Sequence, residues 1–164
     1  MKIFNAAYLD DLTGQARVST RLRQHRNIHQ SYQDSCQRLF NAIEPDSYIR
    51  PHRHAADPKD ELLIAVRGLM LLVTFDDQGA VSNMLHLGIK MLGDEVAVGF
   101  EVPASIWHTV IALESGCVLL EIKPGPFDPT QPKDLAAWAP EEGSAAAPDY
   151  LKRLLQISCG YKVS

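Results

Sequence analysis

Between residues 37 and 127 the chain is a succession of short β-prone runs broken by turn residues, with no helical period among them. The runs fall at about 36–43, 47–54, 61–67, 69–75, 80–87, 95–102, 106–113 and 117–123. They are separated by signals such as Pro45-Asp46, Asp57-Pro58-Lys59-Asp60, Gly68, Asp76-Asp77-Gln78-Gly79 and Pro103-Ala104-Ser105. Strands at this spacing, without helices between them, predict an all-β antiparallel sandwich or barrel. Three stretches, 62–66, 69–73 and 118–120, are apolar on both faces. Such strands need an outer cover, supplied by the terminal segments or by a second subunit, so a homodimer is expected.

The ends read differently. Residues 1–32 mix polar and apolar positions with many Arg and His, and Thr13 is placed to open a short amphipathic helix. Residues 124–148 hold Pro124, Pro126, Pro129, Pro132, Pro140 and Pro148, six of the ten prolines, which predicts an extended segment wrapped over the surface. From 148 to about 156, Tyr150, Leu151, Leu154 and Leu155 share one side of a short C-terminal helix. At 164 residues this is one domain, with a core at about 36–127 and a wrap at about 128–164. A chain of this size buries about 70% of its unfolded surface and needs no disulfide staple.

Composition excludes several classes of function. Sixteen Lys and Arg against 20 Asp and Glu give a formal charge of −4, a poor match to a phosphate backbone. No apolar run approaches the roughly 18 residues of a membrane span, and the start lacks a signal-peptide core. The three cysteines, Cys36, Cys117 and Cys159, are odd in number and far apart, as expected of reduced thiols in a cytoplasmic protein.

Six histidines remain to be placed, and Ser47-Tyr48-Ile49-Arg50-Pro51-His52-Arg53-His54 is the most informative stretch. As a strand it puts Tyr48, Arg50, His52 and His54 on one face. Two imidazoles at i and i+2 can hold one cation. A six-residue loop then precedes Glu61, a hairpin length that returns a carboxylate to His54; Asp57 or Asp60 are alternatives on the same loop. Downstream, Pro103-Ala104-Ser105-Ile106-Trp107-His108 is a tight turn leading into a strand with His108, Val110 and Ala112 inward. Facing hairpins would join His52, His54, Glu61 and His108 in a site suited to a divalent ion, Fe, Mn, Zn or Ni. Four protein ligands leave a six-coordinate metal two open positions for a small-molecule ligand.

Around that site, Arg50 suits a bidentate carboxylate or phosphate, or an ion pair with Glu61 or Glu101. Glu121 and Lys123 share a face of the last strand, as an acid and base that move protons or as a structural pair at the barrel rim. Tyr48, Arg50, Glu121 and Lys123 are thus the candidate catalytic residues. His29 reads as a surface or cap residue. Trp107 and Trp138 read as packing, Cys36 and Cys117 as small hydrophobes, and His25 and His86 have no identifiable partner.

The spacing His52, His54, Glu61, Gly68 and then Pro103, Ser105, His108 resembles the two motifs of the cupin superfamily. Ser105 stands where that pattern has glycine, and Ala112 where an asparagine often stands. Arg26-Asn27-Ile28-His29, Cys36-Gln37-Arg38, Tyr48 to His54, Glu121-Ile122-Lys123-Pro124-Gly125-Pro126-Phe127 and Trp138-Ala139-Pro140-Glu141-Glu142 are similar to the WbuC-type cupin-fold metalloproteins. The resemblance implies a single antiparallel, jelly-roll-like cupin β-barrel with a short N-terminal segment and a C-terminal helix, and a bound metal. It also raises the prospect that His29 closes the pocket. Members of that family sit in or near bacterial polysaccharide (O-antigen) clusters, which implies sugar or sugar-nucleotide chemistry such as isomerisation or epimerisation. A non-catalytic carbohydrate-binding module and an iron-dependent dioxygenase are the alternatives.

Overall fold

The computed structural model describes residues 1–55, 58–89, 96–130 and 133–160. The elements run α1 (Ala6–Val18), β1 (Arg23–Asn27), β2 (Cys36–Ile43), β3 (His52–Arg53), β4 (Glu61–Arg67), β5 (Leu69–Phe75), β6 (Val81–Gly88), β7 (Val96–Ala97), β8 (Gly99–Val102), β9 (Trp107–Ala112), β10 (Cys117–Pro124), β11 (Asp134–Leu135) and α2 (Ala147–Gly160). One sheet has the order β1-β2-β10-β4-β8 and the other β11-β3-β9-β5-β6-β7. All pairings are antiparallel except β6 with β7, which is parallel.

The expected strands at 36–43, 61–67, 69–75, 80–87, 106–113 and 117–123 are present within a residue at either end. Two runs differ. Of 47–54, only His52–Arg53 is strand, because the chain before it turns toward the C-terminal wrap instead of laddering. The run at 95–102 divides into β7 and β8, which belong to different sheets, so the chain changes sheet at this point.

Strict alternation builds the core. Ile43, Leu63, Met70, Leu72, Val110 and Leu119 face inward between the sheets. Their neighbours face outward, and a helix of the chain packs on each outer face. Leu9, Leu12 and Ala16 of α1 pack on Phe40, Ala42 and Val118, while Leu151 and Leu154 of α2 pack on Leu71, Val73 and Ile111. The terminal helices thus cover Leu71, Val73, Ile111 and Val118, while Leu62 on the outer face of β4 stays exposed. The N-terminal helix also starts earlier than its sequence signal. Asn5 is the cap, its side chain accepting the Tyr8 N–H at 3.0 Å. Thr13 lies buried inside the helix, its hydroxyl donating to Asp10 O. No helix among the described residues is long and apolar enough to cross a membrane.

Gly68 makes the turn from β4 to β5 with φ +82, and a Cβ there would lie 2.5 Å from Cys117 Sγ. Gly68→Ala should therefore lower stability by about 2–4 kcal/mol, combining a left-handed conformation with overpacking. A urea midpoint for the variant equal to that of the parent chain would contradict this.

Candidate metal centre

Strand pairing builds the site from both halves of the chain. In β3 and β9, His52 stands directly opposite His108, and their ring centroids are 4.5 Å apart. His54 follows on the same face, its own N–H donating to Ala104 O at 2.8 Å, which ties the first motif to the second. The Pro103 turn closes with Ile106 N–H donating to Pro103 O. Ser105 is not among the non-glycine residues with positive φ, so the missing glycine costs the turn nothing. Glu61 opens β4 and returns to within 3.5 Å of both His54 Nε2 and His108 Nε2. The four side chains are buried, and their ligand-capable atoms all lie within 4.8 Å of one another. Asp60 is spent elsewhere, its Oδ1 accepting the Ala104 N–H at 3.0 Å. Asp57 lies outside the described residues.

The hydrogen bonds orient this donor set toward a common centre. His52 Nδ1 is 3.1 Å from Arg50 O and His108 Nδ1 is 2.9 Å from Ile106 O. A carbonyl can only accept, so Nδ1 carries the proton in each and Nε2 offers its lone pair inward. His54 Nε2 is buried with no hydrogen-bond partner. Inward lone pairs beside a carboxylate repel one another unless a cation lies among them, and imidazoles with one carboxylate suit a divalent transition metal. Burial first, then the neighbouring Lys133 and the His108 ring, hold His52 well below its ordinary value and keep it a neutral ligand. Burial alone would raise the Glu61 carboxyl; contacts from His108, His54 and Lys123 outweigh it and hold Glu61 well below the usual carboxylate range.

A cavity of about 260 Å³ opens from this cluster between the sheets. Of the residues singled out in the sequence, Glu121 and Lys123 line it. Lys123 Nζ donates to Glu61 Oε1 at 3.2 Å, and Glu121 Oε1 accepts from Asn41 Nδ2 at 2.8 Å. Tyr48 and Arg50 do not reach the cavity. The Tyr48 hydroxyl donates to Pro140 O at 2.9 Å, its ring meets Tyr150, and burial pushes its phenol up. Arg50 donates through Nε and Nη2 to Ala136 O, and pairs with neither Glu61 nor Glu101. Both miss because residues 47–51 are not strand, so alternation does not carry their side chains to the face of His52.

Other residues enter the cavity without having been anticipated. β1, all polar, brings Arg23, His25 and Asn27 to one wall, β2 brings Asn41, and Lys133 comes in from the wrap. His29 is buried and lines the same space, so it belongs to the pocket rather than the surface. The usable signal was alternation in Arg23-Gln24-His25-Arg26-Asn27, masked by the lack of apolar residues. Arg21 and Arg23 stand at the rim, clamped on Glu142 at 2.6 and 2.5 Å, which ties the wrap to β1.

The family described as Domain of unknown function (DUF6016) matches residues 4–87. No curated protein matches the sequence. Among solved structures, the chain is similar to protein SO0799 from Shewanella oneidensis, with 12% identity, coverage of 81% of this chain and 85% of that one, and a TM-score of 0.57. The TT1209 protein from Thermus thermophilus gives 18% identity, 76% and 98% coverage, and a TM-score of 0.51. Oxalate decarboxylase from Bacillus subtilis gives 16% identity, 85% of this chain but 32% of that one, and a TM-score of 0.50. At these identities the likeness concerns fold alone, and the fold is that of a cupin β-sandwich with a C-terminal helix.

The clamp makes an acid-sensitive tie. Burial opposes it, but Arg21 and Arg23 lower the Glu142 carboxyl from 4.5 to about 2. A depressed carboxylate stabilises the fold above its unfolded pKa and loses that contribution as pH falls toward the folded one. Tryptophan fluorescence should thus report loosening of the wrap between about pH 4.5 and 2. Glu142→Gln should remove that part of the pH dependence; an unchanged acid profile in the variant would count against the clamp.

Proposed function

Since the chain belongs to the DUF6016 family, whose function is undefined, its activity must be argued from the site, and we propose a metal-dependent cupin acting on a small hydroxylated molecule of sugar size. The observation that carries this reading is the convergence of His52, His54, Glu61 and His108, with one imidazole nitrogen lacking any partner, at the inner end of a polar cavity. These four residues would hold the ion, which supplies Lewis acidity to a substrate oxygen. The similarity of residues 48–54 and 121–127 to WbuC-type proteins supports a sugar substrate linked to polysaccharide metabolism. At about 260 Å³ the cavity lies below the 300–1,000 Å³ of most ligand sites, which favours one sugar unit over a whole sugar nucleotide.

Isomerisation or epimerisation needs a proton taken from carbon and one returned. Glu121, held by Asn41 Nδ2, is placed to accept the proton from a carbon next to a carbonyl. Lys123 faces Glu61 and Glu121, which outweigh the effect of burial and raise its pKa, so it stays protonated and can donate to an oxygen. Both groups are also engaged in hydrogen bonds already, which is the observation favouring the second reading, capture of the same ligand without turnover.

His52→Ala combined with His108→Ala should reduce metal content, read by elemental analysis, from stoichiometric to background. Full occupancy in the double variant would overturn the metal assignment. With metal retained, Glu121→Gln should slow any metal-dependent conversion of candidate sugars by about 10²-fold or more, read by mass spectrometry of products. Tight binding with no product over hours would establish the second reading instead.

A further inference from the structure

Beyond the metal-site residues, two buried polar atoms of the cavity wall have no partner. Asn41 is 3% exposed; its Nδ2 is committed to Glu121, which leaves Oδ1 without a donor. His29 is 7% exposed, and its Nδ1 lies 3.1 Å from Arg38 N and 2.9 Å from Arg38 O. Either tautomer meets one of these two backbone groups, and in both the buried Nε2 is left without a partner. Each unmatched group costs about 1–3 kcal/mol in a dry interior, so the Asn41 acceptor and the His29 ring nitrogen of the wall are open to a ligand's polar atoms.

The charges of the cavity point the same way. Of its cations, Arg21 and Arg23 are taken by Glu142, and Lys123 by Glu61. Among the described residues no carboxylate pairs with Lys133. Lys133 immediately precedes β11, whose Asp134 and Leu135 pair with Arg53 and His52, and it lines the cavity close enough to His52 to act on its ring. Lys133 is exposed as a residue, but desolvation of its ammonium, opposed by Glu121 and Glu61 and helped by Arg23 and Lys123, brings its pKa down to about 8. Glu121 and Glu61 act on Lys133 across the cavity and favour its charged form, though neither pairs with it among the described residues.

We propose that the cavity takes a small hydroxy-carboxylate of the sugar-acid class, its carboxylate against Lys133, a hydroxyl donating to Asn41 Oδ1 and another hydroxyl paired with His29 Nε2. One unpaired cation matches one carboxylate better than a doubly charged phosphate. The proposal rests on the metal-centred reading for the reaction, but its binding groups are independent of the ion.

The test is calorimetry on the full chain, with glucuronate against glucose and gluconate against sorbitol, run on metal-loaded and metal-free protein. Each acid should bind at least tenfold more tightly than its neutral counterpart. Lys133→Gln should abolish that preference and Lys133→Arg retain it, while Asn41→Ala weakens all four probes. Thermal unfolding confirms that the variants are folded. Equal binding of acid and neutral probes, no binding of either, or a preference surviving Lys133→Gln would overturn the proposal. Metal content is measured on the same samples. A preference for acids in protein that takes up no metal would sink the metal reading and leave this site standing.

Discussion

A carboxylate that is 3% exposed between two β-sheets has lost nearly all its hydration, and Glu61 is tolerated there only because its surroundings replace that water. Lys123 donates to one of its oxygens, and His54 and His108 approach the other at 3.5 Å. Each partner comes from a different strand or hairpin, so the carboxylate is satisfied only when the first and second motifs meet across the barrel. Removing one partner would leave a buried charge uncompensated, a penalty of several kcal/mol. The site and the fold are thus mutually dependent: the hairpin from His54 to Glu61, the His52–His108 pairing and the inward face of β10 must all form together.

What could be read in advance follows from how local each signal is. His52, His54, Glu61 and His108 were legible because strand alternation and hairpin length are local rules, and all four lie where those rules hold. Glu121 and Lys123 were legible for the same reason, since β10 is a regular strand. Tyr48 and Arg50 were assigned by the same alternation extended over five residues that are not strand, and Pro140 O and Ala136 O, from the distant wrap, claim them instead. The need for an outer cover was visible in the two-faced apolar strands. Of the two covers expected, the terminal segments or a second subunit, the terminal helices α1 and α2 supply much of it, a choice the sequence left open because they lie at the two ends of the chain. β1 escaped notice because a strand whose inward residues line a polar cavity carries no apolar pattern to detect.

The same polarity shapes the pocket itself. A β-sandwich normally fills its interior from both inner faces, and this one does so at Met70, Leu72, Val110 and Leu119. Near β1 and β11, at the edges of the two sheets, the inward positions are Arg23, His25, Asn27 and Lys133 instead. Polar residues at inward edge positions can keep their heads near water at the mouth, which is why they cost little there and would cost much further in. Asn41, one strand inward, cannot reach water so easily, and its unmatched Oδ1 marks where the rule is broken.

The rim shows how the remaining charge is held in check. Arg23 is buried, yet it makes no demand on a ligand: it donates to Tyr48 O at 3.0 Å and to Glu142 at 2.5 Å, and Arg21 shares the same carboxylate. A buried guanidinium held on several sides acts as a strut between β1, the segment before β3 and the wrap. With both arginines consumed by structure, the field at the mouth is set by Lys133, which stands just before the short strand β11 that pairs with His52 and Arg53. The wrap therefore does two things at once: Glu142 locks it to β1, and Lys133, only nine residues earlier, is delivered to the cavity by that same locked segment. Any ligand recognised by its charge would be read by a residue whose position depends on the clamp, so the integrity of the wrap and the selectivity of the pocket are coupled through one short stretch of chain.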